Sequence, residues 1–402
     1  MRLVMCTGRG AGLAGLVATV ALAPAAASAF VGNPAAASQC VGPSSDISQA
    51  TPWPQAYLDA GLLGSFTTGA GQVVAVVDTG VSAAAPALAG SVLPGASMVG
   101  GGRGDTDCLG EGTFVAGLIA ARHIPGAGLS GLAPAARILP VAVTAASGTA
   151  SSPAVAAGIL FAVGHGATVI DVSLATPPGP SRALRAAVLY AQSRNVVLVA
   201  GVPRAQESLG GNVTNVTGYP AAYPGVLAVA AVNPQGTPVS AGTAGVRVDL
   251  AAPGTSLVSV APAGQGNIRA SGPGLASGFV AATAALVRSY YPRLTAVQVV
   301  QRLEATADPP GTAVPDPQVG YGIVDPYAAL TALLPQEWGG RAPARPAVPV
   351  PRLPPHPVRS GWPMTAALIV VALSCVLVAG LAAAFHVVKH GRGRGWRSSA
   401  WP

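Results

Sequence analysis

Five apolar residues in succession, residues 73–77, end on a single carboxylate, Asp78, followed by Thr79-Gly80. A run with no polar interruption cannot alternate between core and water. As a strand it must be covered on both faces, which is the situation of a parallel sheet between two layers of helices. In open α/β sheets the chemistry collects beyond the carboxyl ends of the strands, so Asp78 is a candidate functional residue. A carboxylate that merely caps the turn before Gly80 explains these residues equally well.

The following segments repeat the theme. Residues 137–143, 168–174, 195–200 and 226–232 read as buried strands, with shorter strands over 246–250 and 257–260. Between them, apolar residues recur at helical spacing in a helix beginning near Gly112 and in helices over 153–165 and 181–193. Two more helices are expected over 275–291 and 295–307, the second capped by Thr295. Strands alternating with helices define an α/β fold with a parallel sheet and helices on both faces.

The two ends of the chain are of a different kind. Arg2 and Arg9, the apolar stretch 11–23 and Ala27-Ser28-Ala29 predict a signal peptide over residues 1–29. Residues 30–70 are polar and Pro-rich and are expected to form an extended arm before the domain at 71–335. A Pro-rich linker, 336–363, reads as a stiff spacer. Residues 364–388 are apolar enough, and long enough at about 1.5 Å per residue, to cross a bilayer core of about 30 Å as a C-terminal transmembrane helix. The tail 389–402 carries Lys389, Arg392, Arg394 and Arg397. The positive-inside rule then places the tail in the cytoplasm and the domain outside.

Only 9% of the 402 residues are charged, and the net charge is +8. Six of the positive charges lie in the leader and the tail, so the excess reports topology rather than a nucleic-acid surface, and nucleic acid is set aside. Between leader and membrane segment there are just two cysteines, Cys40 and Cys108. In an exported domain the simplest state is a disulfide between them, which would pin the arm over the domain. The loop carboxylates Asp105, Asp107 and Glu111 are read as solvated, and no metal or cofactor is expected.

VVAVVDTGV, GEGTFVAG, GLAPAARILPV, VDLAAPGT and a helix containing AALV occur in the order found in subtilisin-like serine proteases. With the leader, arm, Pro-rich spacer and single C-terminal helix, residues 40–390 resemble the mycosins, the membrane-anchored subtilisin relatives that accompany type VII secretion systems. RLEATAD and VDPYAAL add to the likeness. The resemblance implies a serine endopeptidase fold, with Ser as nucleophile, His as base, Asp to orient the base and Asn to hold the oxyanion.

Carried over residue by residue, that set is degenerate. Asp78 matches the family's Asp. Glu111 stands at the His position, Gly274 at the Ser position, and Val202 or Pro203 at the oxyanion Asn position. In subtilisin itself, loss of Ser or His alone costs about a million-fold in kcat. Sedolisins use Glu in place of His on this fold but keep the Ser. Here Ser277, one helical turn beyond Gly274, is the alternative nucleophile, and Ser271 flanks on the other side. The expected function is therefore a pseudoprotease with a structural role in a type VII secretion complex, a role the resemblance makes compatible with a lost triad. The alternatives are an active endopeptidase built on Glu111 and a module that binds an extended peptide without cutting it.

Overall fold

The computed structural model describes residues 40–338 and a helix at 362–393, apart from short stretches at 145–147, 177–178, 204–205, 208–212, 215–217, 240–246 and 312. The leader, most of the spacer and the end of the tail lie outside the described residues. The chain divides into two units, residues 1–342 and 343–402.

In chain order the first unit contains helices α1 (Trp53–Tyr57) and α2 (Ala60–Leu63), strands β1 (Val73–Asp78) and β2 (Ala96–Ser97), and helix α3 (Glu111–Ala120). Next come β3 (Arg137–Ala142), α4 (Ser152–Gly164), β4 (Val169–Val172), α5 (Arg182–Ser193) and β5 (Val197–Gly201). A small antiparallel pair, β6 (Gln206–Glu207) and β7 (Val213–Thr214), precedes β8 (Val226–Val232), β9 (Leu250–Pro253), β10 (Leu257–Val260) and β11 (Asn267–Ala270). Helices α6 (Pro273–Tyr290), α7 (Ala296–Ala305) and α8 (Pro326–Thr331) complete it. The second unit contains α9 (Trp362–Gly393), within which Val370–His390 is long and apolar enough to cross a membrane.

Seven strands form one sheet in the order β2-β3-β1-β4-β5-β8-β9, every neighbouring pair parallel. Alternation along β1 shows why an unbroken apolar run was needed. Val74 and Val76 pack with α3, α6 and α7, while Ala75 and Val77 pack with α4 and α5 on the opposite face. Helix α6 is the central one. It is buried from Leu275 to Val287, and its Ala, Gly and Ser residues let it press close to the sheet.

Four expectations need correction. The segment 30–70 is not extended throughout, because α1 and α2 lie within it. Pro54 early in α1 fixes a helical φ, and Trp53 Nε1 donates to Thr255 O at 2.9 Å. The strand expected at 246–250 instead runs over Leu250–Pro253; the Asp249 carboxylate before it accepts from the Ala228 amide and Arg247. Helix α6 begins at Pro273, two residues before the apolar spacing announces it, since proline is pre-organised for the first helical turn. Asp105 and Asp107 are not loose loop carboxylates, as described below. The Cys40–Cys108 disulfide is present.

Candidate functional site

The sheet reverses its strand order between β1 and β4, and in such sheets the crevice at the carboxyl ends of those strands is the ligand-binding position. Register decides which side chains meet there. Asp171 on β4 lies beside Val76 on β1 and Val199 on β5. Side chains on a strand alternate, so Asp78, Asp171, Ser173 and Gly201 all face the layer of α3 and α6. The amino ends of those two helices, carrying Glu111 and Gly274, close the crevice from above.

Helix α3 is held in place by Asp107. Its Oδ1 accepts from the Gly110 amide (2.8 Å) and the Thr79 hydroxyl (2.9 Å), and its Oδ2 accepts from the Thr113 amide (2.9 Å) and hydroxyl (2.7 Å). Asp105 pairs with Arg103. Gly112 sits directly on the turn after β1, where an added Cβ would lie 2.0 Å from the Gly80 carbonyl oxygen. That contact brings Glu111 beside Asp78.

The carboxyl groups are poorly solvated. Asp78 is fully buried, and its Oδ1 accepts from the Thr79 amide at 2.6 Å. Burial, and then the charge of Glu111, push its pKa well above the usual range. Burial, and then Asp107, also raise that of Glu111. Asp171, which the sequence reading passed over, is equally buried and accepts from the Ser173 hydroxyl at 2.9 Å. Burial pushes its pKa up to about 7. A lone carboxylate inside a strand covered on both faces was the signal available in the sequence.

Gly274 has no room for a side chain. A Cβ built there would lie 2.2 Å from the Ser173 carbonyl oxygen and 3.6 Å from Glu111 Oε1. From the sheet side, a Cβ on Gly201 would meet the Gly274 Cα at 2.6 Å. Ser277 is sealed inside α6, fully buried, with its hydroxyl donated to the Gly274 carbonyl at 2.6 Å. Val202 is buried. Pro203 packs on Gly218 so closely that an added Cβ there would lie 2.5 Å from the proline ring and 3.3 Å from Ala175. What remains open is a cleft of about 460 Å³ beside Glu111, walled by Val41 of the arm, Leu109, Phe114, Arg269 and Leu275. The arm itself passes alongside residues 263–267, with backbone bonds from Ser44 to Ala263 and from Asn267 to Asp46.

A parallel sheet with this strand order, an Asp closing its central strand and a buried helix entering at the crevice define a subtilisin-like α/β protein. The family model for the subtilases matches residues 69–322, and the chain belongs to that family. Within it the chain is mycosin-like. It is 37% identical over 327 residues to mycosin-4 of Mycobacterium tuberculosis, covering 71% of each chain. It is 34% identical over 407 residues to mycosin-3 of the same organism, covering 87% of this chain and 86% of the relative. Among solved structures, a MycP3 protease from the type VII (ESX-3) secretion system matches with TM-score 0.65 at 32% identity, covering 74% of this chain and 93% of that one. A chain in the intact ESX-5 inner membrane complex matches with TM-score 0.63 at 29% identity, covering 88% and 93%.

Proposed function

We propose that this protein is a non-catalytic, membrane-anchored mycosin homologue that serves as a structural subunit of a type VII secretion membrane complex. The domain lies outside the membrane and the basic tail in the cytoplasm. The observation that carries the reading is the closure of the nucleophile position, where the Ser173 carbonyl occupies the space a side chain on Gly274 would need. Ser277, the alternative nucleophile, is fully buried and sealed from any substrate. The positive-inside rule supports the orientation. The structural role is supported by the likeness to chains from ESX-5 inner membrane assemblies. The cleft beside Glu111 favours, as a second reading, the capture of an extended peptide without cleavage.

The test is labelling of the full-length protein by a fluorophosphonate beside a mycosin with a complete triad. No adduct is expected in a folded sample, together with co-purification with the secretion complex. A stoichiometric adduct on Ser277 or Ser271 would establish the endopeptidase reading instead. Rebuilding the set with Gly274→Ser, Glu111→His and Val202→Asn is also expected to give no adduct. Gly274→Ser alone should lower stability by about 1–3 kcal/mol, the usual cost of forcing atoms into a packed interior. Unfolding in urea measures that loss, and an unchanged midpoint would show that the crevice has room.

A further inference from the structure

Three carboxyl groups from distant parts of the sequence converge where the mycosin-like site would be, and the donors around them do not suffice. Asp78 Oδ1 accepts the Thr79 amide and Asp171 Oδ2 the Ser173 hydroxyl, with the Ser173 hydroxyl also near Asp78 and the Ser277 hydroxyl also near Asp171. The second oxygen of each, Asp78 Oδ2 and Asp171 Oδ1, is buried with no hydrogen-bond partner. An ionised carboxylate left with an orphan oxygen in the interior is costly, and neighbouring carboxylates resist joint ionisation. A proton on each orphan oxygen removes the charge and supplies a donor. The Ser173 hydroxyl lies beside both Asp78 and Asp171, within reach of a shared proton.

Among the described residues of the surrounding elements no cation offsets these charges. Strand β1 contributes Asp78, β4 contributes Asp171 and Ser173, and β5 contributes only Val199 at that level. Helix α3 brings Glu111, with Asp107 just before it. Helix α6 brings Ser277, whose proton goes to the Gly274 carbonyl. Its Arg288 lies fourteen residues beyond Gly274, about 21 Å along the helix, and is bonded to Asn195 O. Arg103 is paired with Asp105. Arg269 lines the same cleft as Glu111 but forms no ion pair with it. Among the described residues no three side chains are arranged to hold a metal ion. The amino ends of α3 and α6 favour negative charge here, an effect smaller than the burial of three acids.

We propose that Asp78, Glu111 and Asp171 form one proton-binding centre. It retains protons at neutral pH and gives them up through Glu111 to the open cleft as the pH rises, loosening the contact of α3 with β1. The inference holds whether or not the chain is catalytic. Its sign is opposite to ordinary acid denaturation. The unfolded chain loses these protons in the usual carboxylate range near 4, whereas the folded chain keeps them to higher pH. Stability conferred by the centre is therefore complete in acid and is lost between about pH 4 and pH 7 or above.

Full-length protein in detergent micelles, melted at intervals from pH 5 to 8.5 with tryptophan fluorescence as the signal, tests this. The midpoint is expected to fall by about 5 °C or more across the range. Asp171→Asn should remove at least half of that fall and raise the midpoint at pH 8. Glu111→Gln, at the cleft, should act in the same direction. Glu304→Gln is the control, since burial pushes Glu304 up to about 7 as well. It must leave the part of the slope that depends on Asp171. A midpoint that is flat or rises with pH, or a slope unchanged in both centre variants, overturns the proposal. Infrared difference spectra of the wild type give a readout that needs no variant to fold. A protonated-carboxyl band at pH 7 that fades by pH 9 is expected, and its absence at pH 7 would equally overturn the idea.

Discussion

Arg302→Ala is expected to cost the domain about 3–5 kcal/mol of folding stability, because it strips one partner from a buried ion pair. Arg302 is 1% exposed. Its guanidinium donates to the carbonyls of Ala329 (2.7 Å) and Ala332 (3.1 Å), and its Nε donates to Glu337 Oε1 at 2.7 Å. Its Nη2 forms a second bond to the same carboxylate, and its Cζ lies 4.3 Å from the centre of the Tyr291 ring. Truncation would leave two carbonyls and a carboxylate without donors. Those acceptors belong to the end of α8 and to the turn at Pro335–Trp338, the last described segment of the first unit, so the expected spacer from residue 336 begins with residues held to the domain. The same arginine therefore fastens the domain where the chain departs toward its membrane helix. Lysine should not rescue it, since one ammonium cannot reproduce the fork. Urea unfolding of Arg302→Ala beside Arg293→Ala, an exposed neighbour, measures the difference. A loss below about 1 kcal/mol would mean that the pair contributes no more than a surface one.

Removing the disulfide, by Cys40→Ser with Cys108→Ser, is expected to cost about 4 kcal/mol, the chain-entropy value for a closed loop of this length. The bridge joins residues 68 apart. Its effect should also be local, because Cys108 lies between Asp107, which braces α3, and Glu111, which α3 presents. Val41 also donates its amide to the Cys108 carbonyl at 2.8 Å. Hydrogen exchange is expected to rise over residues 40–50 and 105–113 in the double variant, while α4 and α5 on the opposite face keep their protection. Equal protection in the arm with and without the bridge would show that the backbone bonds to residues 263–267 suffice to hold it.

Much of the architecture was legible because parallel strands buried on both faces leave a strong trace. The apolar runs within 73–78, 137–143, 195–200 and 226–232 needed no tertiary information to be read as strands, though two of their ends differ by a residue, at Ala142 and Gly201. Neither did the long apolar stretch near the C-terminus, which forms a single helix over Trp362–Gly393. Elements too short to show a period were missed. Helices α1 and α2 span five and four residues, and β2 spans two. The start of α6 was misjudged because Pro273 reads as a breaker until it is seen at a helix's first turn.

The sequence by itself determined the class of fold and the family, because each is written in local pattern. Only the tertiary structure decided what surrounds Gly274 and Glu111. Parallel register set Asp171 next to Asp78, and the seat of Gly112 on the β1 turn brought Glu111 to both. The Ser173 carbonyl closed over Gly274, while α6 turned Ser277 inward. Whether a carboxyl or hydroxyl acts as a base, a nucleophile or a buried acid depends on its solvent, its neighbours and the space before it. All three are set by segments about a hundred residues apart in the chain.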